Sequence, residues 1–177
     1  AGTGVVLDGV YSTQFGFDLK DDYTRVDGLE FKRFSTASGG PAAVRVSDAF
    51  NVLLDGLIVH DFPTAGGAVY GIRGSPSGAA SFTIRNSLIY DGYESAIFVN
   101  NPLVTATVEN VTVYGMAQNA GVYLQNGAMT VTNTISMAGG GGSPDFRDPL
   151  AAMVQSYNLS EDTSAAGTGS LVNQVAA

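Results

Sequence analysis

The chain has 177 residues, of which 14% are charged, 45% are hydrophobic and 23 are glycines, and its net charge is −8. This length suits one domain with its own core, and the hydrophobic content excludes a disordered chain. The acidic balance without a basic cluster excludes nucleic acid as a partner, and the absence of cysteine excludes a disulfide framework.

The hydrophobic segments are too short to cross a membrane, because no apolar run approaches the ~20 residues that a spanning helix needs. The chain opens with Ala-Gly-Thr-Gly, which has neither an initiator Met nor the charged and apolar regions of a signal peptide. We therefore expect a mature, trimmed or excised piece of a longer protein. We expect its location to be extracellular, on a cell surface or in a virion.

In chain order, the first predicted strand lies at residues 5–11, and an apolar triplet follows at 17–19. Similar triplets recur at residues 44–46, 70–72, 97–99 and 122–124. The last residues of these triplets, at 19, 46, 72, 99 and 124, are 27, 26, 27 and 25 positions apart. A fixed interval of this length predicts a solenoid in which each repeat forms one coil.

A second series of short strands keeps the same interval, and each copy has Gly or Asn at one position. The copies cover residues 26–31, 54–59, 84–89, 108–113 and 131–136, with Gly28, Gly56, Asn86, Asn110 and Asn133 at that position. Gly and Asn best tolerate the left-handed backbone conformation with which a coil can turn sharply. Coils stacked ~4.8 Å apart would align the asparagine side chains, which predicts an asparagine ladder.

Side chains around these turns alternate with the period of two that is typical of strands. Thr105 and Thr107, for example, lie opposite Ala106 and Val108. The alternative all-β fold is a β-sandwich, which does not require turn residues to recur at this interval. The sequence therefore predicts an all-β fold, a right-handed single-stranded parallel β-helix of about five coils, over residues 1–137.

Residues 138–177 are predicted to form a Gly-rich breaker and an irregular C-terminal tail that packs on or extends the helix end. Two short apolar pieces, at 153–159 and 170–173, are candidates for additional strands. Both ends of a solenoid present unpaired backbone groups. We therefore expect at least one end to be completed by further chain, by another subunit or by a partner protein.

The motif Val-Glu-Asn-Val-Thr-Val at 108–113 and its copies resemble the right-handed parallel β-helix repeat family of bacterial surface and phage proteins, which has the pectate-lyase-like fold. The resemblance extends over residues 17–173, and members usually continue beyond the segment similar to 156–173. It implies a fold much more strongly than a function. The enzymes of this fold are pectate lyases and polygalacturonases, so it implies a polysaccharide as one candidate partner.

Alignment of the second strand series also defines two polar columns. The first contains Lys32, His60, Tyr90 and Tyr114, and the second contains Arg33, Asp61, Asp91 and Gly115. Asp61 and Asp91 would lie about 5 Å apart, the spacing of a retaining glycosidase, beside His60, the only histidine. These three residues are the catalytic candidates. The structural alternative is an Arg33–Asp61 ion pair and a turn at Asp91.

The resemblance implies that the first strand series is the carbohydrate-facing sheet. The candidate ligand-binding residues there are Arg45, Arg73, Asn100, Gln125 and Tyr123. Few carboxylates lie on that sheet, which leaves calcium-assisted elimination without support. The acidic cluster of Asp18, Asp21 and Asp22 is more typical of a solvated loop than of a metal site, so we predict neither metal nor cofactor.

These features favour a non-catalytic structural and recognition module of a larger surface or virion assembly, in contact with other subunits and with glycans. One alternative is a polysaccharide-active enzyme, either a lyase or a glycoside hydrolase. The other is a secreted glycan-binding module. The enzyme would require His60, Asp61 and Asp91 to converge in a cleft.

Overall fold

The computed structural model describes residues 4–35, 40–62, 68–74, 77–138 and 142–174. All strand pairings among these residues are parallel, and none of these residues is helical. The fold is therefore a parallel β-solenoid of about six turns, not a β-sandwich. A helix able to span a bilayer is accordingly not found in the described part of the chain.

The coils consist of short strands, except that two longer strands continue through a corner. In chain order the strands are β1 (Val6–Asp8), β2 (Phe15–Leu19), β3 (Arg25–Asp27), β4 (Glu30–Lys32), β5 (Ala42–Val46), β6 (Val52–Asp55), β7 (Ile58–His60), β8 (Tyr70–Gly74), β9 (Ala80–Arg85), β10 (Leu88–Gly92), β11 (Ser95–Glu109), β12 (Thr112–Met116), β13 (Val122–Thr132), β14 (Ile135–Met137), β15 (Phe146–Arg147), β16 (Met153–Ser156) and β17 (Leu159–Ser160). The longer strands are β11 and β13, and each of them belongs to two sides of the solenoid.

Three sheet faces surround the core, and most coils contribute one strand to each. Face A contains β1, β4, β7, β10, β12, β14 and β17 in spatial order. Face B contains β2, β5, β8, the first halves of β11 and β13, and β15. Face C contains β3, β6, β9, the second halves of β11 and β13, and β16.

The predicted turn column lies at the corner between face C and face A. Its five residues, Gly28, Gly56, Asn86, Asn110 and Asn133, all have positive φ, from 49° to 64°. Each donates its backbone N–H to a carbonyl oxygen of the following coil at 2.9–3.3 Å. Asn110 Nδ2 also donates to Asn86 Oδ1 at 3.4 Å, and Asn86 Nδ2 donates to Asp55 Oδ1 at 2.9 Å. The column of turns is confirmed, and its side-chain hydrogen bonds join Asn110, Asn86 and Asp55.

One predicted register is wrong by two residues. The triplet alignment places Ile72 level with Val46 and Val99, but Gly74 lies at that level and Ile72 pairs with Val44. Side chains alternate with a period of two, so a shift of two residues leaves the same side chains facing the core. The hydrophobic pattern alone therefore could not fix this register.

The C-terminal residues build one more coil. Strands β15 and β16 pair with β13, and β17 pairs with β14. The predicted apolar piece at 153–159 supplies β16, and Leu171, from the piece at 170–173, forms a single parallel bridge with Leu159. The glycines at 139–141, in the predicted breaker, lie outside the described residues.

Candidate functional site

The first predicted column is confirmed on the outward side of face A, where its aromatic members stack. The rings of His60 and Tyr90 are parallel with centroids 4.8 Å apart, and those of Tyr90 and Tyr114 are 5.1 Å apart. Both faces of the Tyr90 ring are thus covered by neighbouring rings. A sugar ring packs against an aromatic face, so this stack does not offer Tyr90 as a platform for a glycan.

His60 is held between two carboxylates. Its Nε2 lies 3.1 Å from Glu30 Oε1, and its Nδ1 lies 3.1 Å from Asp61 Oδ2. Its side chain is 12% exposed. A general acid or base must reach the proton that it transfers, whereas both ring nitrogens of His60 already face protein oxygens. The geometry favours a structural link between neighbouring coils over proton transfer.

Asp61 directly follows β7 on face A, and Asp91 occupies the equivalent position inside β10. Their φ angles are 57° and 49°, and Arg33 and Gly115 occupy the same position in the adjacent coils with φ of 58° and 67°. Asp and Gly tolerate this left-handed conformation better than most residues. The second column is therefore confirmed, and its backbone geometry already accounts for Gly115 and for both carboxylates.

The expected ion pair between Arg33 and Asp61 is replaced by another. Arg33 Nε donates to Asp8 Oδ1 at 2.9 Å, and Arg33 Nη2 donates to Asp8 Oδ2. This bidentate hydrogen bond lowers the pKa of Asp8 to about 2. Asp8 lies on β1, which precedes the first aligned copy of the repeat, so its position could not be predicted from the alignment.

Both candidate ligand-binding arginines on face B already have partners within the protein. Arg45 Nε donates to Asp18 Oδ1 at 2.8 Å, and the guanidinium lies 4.0 Å from the ring centroid of Phe15. Arg73 Nη1 donates to the carbonyl oxygen of Gly40 at 2.8 Å, and its guanidinium lies 5.2 Å from the Tyr70 ring centroid. The contacts of both arginines stabilise stacking between coils.

The remaining candidates on face B are half-buried or buried. Asn100 Oδ1 accepts a hydrogen bond from Asn126 Nδ2 at 2.8 Å, and Gln125 is half-buried. Tyr123 is 8% exposed, and the guanidinium of Arg147 lies 4.6 Å from its ring centroid. Arg147 could not be predicted from the repeat, because the strand that carries it falls in the predicted tail. Face B therefore holds a ladder of arginines on aromatic rings.

A shallow depression of about 370 Å³ lies on face C, away from every predicted site residue. Its lining is mostly hydroxyl and amide side chains, including Asn51, Ser81, Thr83, Thr105 and Thr107.

The acidic cluster of Asp18, Asp21 and Asp22 makes hydrogen bonds to neighbouring coils. Asp18 binds Arg45, and Asp22 Oδ1 accepts the N–H of Phe50 at 2.7 Å. Groups of three or more acidic or His side chains suited to a metal ion are not found in the described ranges.

Three ion pairs predict that acid destabilises the solenoid. The pairs are Asp8–Arg33, Asp18–Arg45 and Asp55–Arg85, and hydrogen bonds from the arginines lower the pKa of each carboxyl. A carboxyl whose pKa is lower in the folded than in the unfolded state stabilises the fold. This stabilisation is complete at pH values above the unfolded pKa, near 3.8, and is lost as the pH falls through the folded pKa, which is about 2 for Asp8. Burial raises the pKa of Asp145, so acid favours the folded state at this residue. It is a single group against the three carboxyls of the ion pairs. Thermal unfolding followed by circular dichroism should show Tm falling between about pH 4 and pH 2, and a constant or rising Tm would contradict this expectation.

The parallel β-solenoid agrees with the fold that the sequence resemblance implied. Comparisons of the chain with protein-family models, with curated proteins and with solved structures gave no match. Function must therefore be inferred from the contacts of this chain and from the two ends of its solenoid.

Proposed function

We propose that this chain is a non-catalytic structural and recognition module of a larger surface or virion assembly. It joins that assembly through the N-terminal end of its solenoid. The observation that carries this proposal is a difference between the two ends, because the described residues cover the C-terminal end and none of them covers the N-terminal end.

Residues 161–174 cover the C-terminal end. The N–H of Ser160 on β17 donates to Leu171 O at 3.0 Å, and the N–H of Phe146 on β15 donates to Ser164 Oγ at 2.9 Å. After β16, the N–H of Tyr157 donates to Thr168 O at 2.8 Å. The last coil thus has hydrogen-bond partners on faces A and B and at the corner that follows β16, as a capped solenoid requires.

The N-terminal end lacks such a cover among the described residues. Strands β1, β2 and β3 each pair with a neighbouring strand on one side only. The core side chains of Leu7, Phe17, Leu19 and Leu29 remain partly exposed there. Unpaired strand edges beside exposed apolar side chains are the usual acceptors for additional strands, so this end suits a further coil of parallel β-structure.

Hydrogen exchange tests the difference between the ends. In the isolated chain we expect the amides of β1, β2 and β3 to exchange before those of β15 and β17, because residues 161–174 accept hydrogen bonds only from the latter. Mass spectrometry of peptides from each strand measures this order. Equal protection at both ends, or slower exchange in β1–β3, would remove the support for an open N-terminal end.

The alternative of a polysaccharide-active enzyme keeps one supporting observation, the contact between His60 and Asp61 next to the coil that carries Asp91. If the proposal holds, the native chain releases no reducing ends from acidic or neutral polysaccharides, and Asp61→Asn and Asp91→Asn behave like it. Reducing-end assays on folded protein check this. Release that either substitution abolishes would establish the enzyme instead.

A further inference from the structure

The outward side of face A is apolar along most of the solenoid. One column contains Ile58, Leu88, Thr112, Ile135 and Leu159, and the neighbouring column contains His60, Tyr90, Tyr114 and Met137. We call these two columns the outer strip. Ile58, Tyr114 and Ile135 are 40%, 41% and 38% exposed. A contiguous apolar strip on a monomer surface marks an interaction site.

Charge divides face A along its length. The outward side chains of β1 and β4 include Asp8, Glu30 and Lys32, whereas the two columns carry no charged side chain from Leu88 to Met137, and Glu161 follows Met137 in the second column, directly after β17. The chain as a whole has a net charge of −8, so two copies repel each other over most orientations. The outer strip is a surface on which that repulsion is weakest.

We propose that the outer strip binds a second copy of this chain, with the two solenoid axes antiparallel. This inference rests on the proposed function, because a larger assembly is what holds copies close together. Sheets pack face to face about 10 Å apart with their strands roughly aligned. A two-fold axis along the strand direction through Thr112 then places the aliphatic column against its own copy, so that Leu88 lies opposite Ile135 of the partner subunit.

Charge also selects the antiparallel orientation. In the antiparallel pair, Asp8 and Glu30 of each copy lie beyond the outer strip of the other copy. In a parallel pair, each of these carboxylates would face the same carboxylate of the other copy. The strip from β7 to β17 covers four coil steps, which is about 20 Å at ~4.8 Å a step. This area is below that of a standard interface, so we expect association in the micromolar range or weaker.

Light scattering over a concentration series tests for the pair. The native chain should rise from 18.2 kDa towards twice that mass as concentration increases. Ile135→Lys should keep the mass at the monomer value, because it places a charge in the strip. Val154→Lys on face C, where Val154 is 65% exposed, is the matched control and should associate like the native chain.

Cross-linking tests the orientation, since the chain has no cysteine of its own. Thr112→Cys, near the proposed two-fold axis, should form covalent dimers with a bismaleimide that spans about 10 Å. Thr107→Cys, a half-buried outward position of the same coil on face C, should not. A monomer at every concentration, equal loss of association in both lysine variants, or equal cross-linking of both cysteines would overturn the inference. None of these outcomes bears on hydrogen exchange at the N-terminal end, so the two proposals can fail separately.

Discussion

Replacement of Asn158 by Leu should lower the free energy of unfolding by about 2–4 kcal/mol, because it removes two buried hydrogen bonds and leaves the N–H of Thr134 without its partner. Asn158 is 1% exposed. Its Oδ1 accepts the N–H of Thr134 at 3.0 Å, and its Nδ2 donates to the carbonyl oxygen of Val131 at 3.0 Å. Both groups belong to the preceding coil, so one side chain joins the last coil to the rest of the solenoid.

Urea unfolding of the variant measures this loss. Asn133→Gly is the matched control. Asn133 lies in the exposed turn column with φ of 49°, and glycine adopts a positive φ freely. We expect the control to change the unfolding midpoint little. A Leu variant as stable as the native chain would show that the last coil does not depend on Asn158.

The turn columns could be predicted because their physical requirement falls on single residues. A left-handed backbone position favours Gly, Asn or Asp, so Gly56 and Asn86 mark their corners in the sequence alone. The same reasoning fails in the last coil, where Tyr157 occupies the equivalent position with φ of 54°. The turn pattern therefore does not extend to this coil, whose strand at 153–159 could be predicted only from its apolar residues.

The roles of the polar side chains could not be predicted, because they depend on the level at which coils stack. Asp61 was paired with Arg33 by alignment, but Asp8 lies within reach of the same guanidinium and binds it. The outer strip was also missed. Runs such as Leu57-Ile58-Val59 are apolar on both sides of the strand, and an alternating pattern is needed to tell the inward side from the outward one.

Addition of one partial coil to the N-terminal end should stabilise the solenoid. The register places Gly4 level with Gly28, which follows from the pairing of Val6 with Glu30, and Gly28 is level with Gly56. A copy of residues 36–55 in place of residues 1–3 would therefore bring a face B strand and a face C strand directly into β1. Each new strand gains a neighbour and covers exposed core side chains, so stability should rise as in other repeat proteins.

The urea midpoint of this fusion protein tests the open end most directly. We expect a higher midpoint when residues 36–55 are added before Gly4, and no gain when the same segment follows residue 174, where the chain already covers the last coil. A scrambled copy of the segment before Gly4 controls for added length. No gain at the N-terminal end, or the same gain at both ends, would contradict the account.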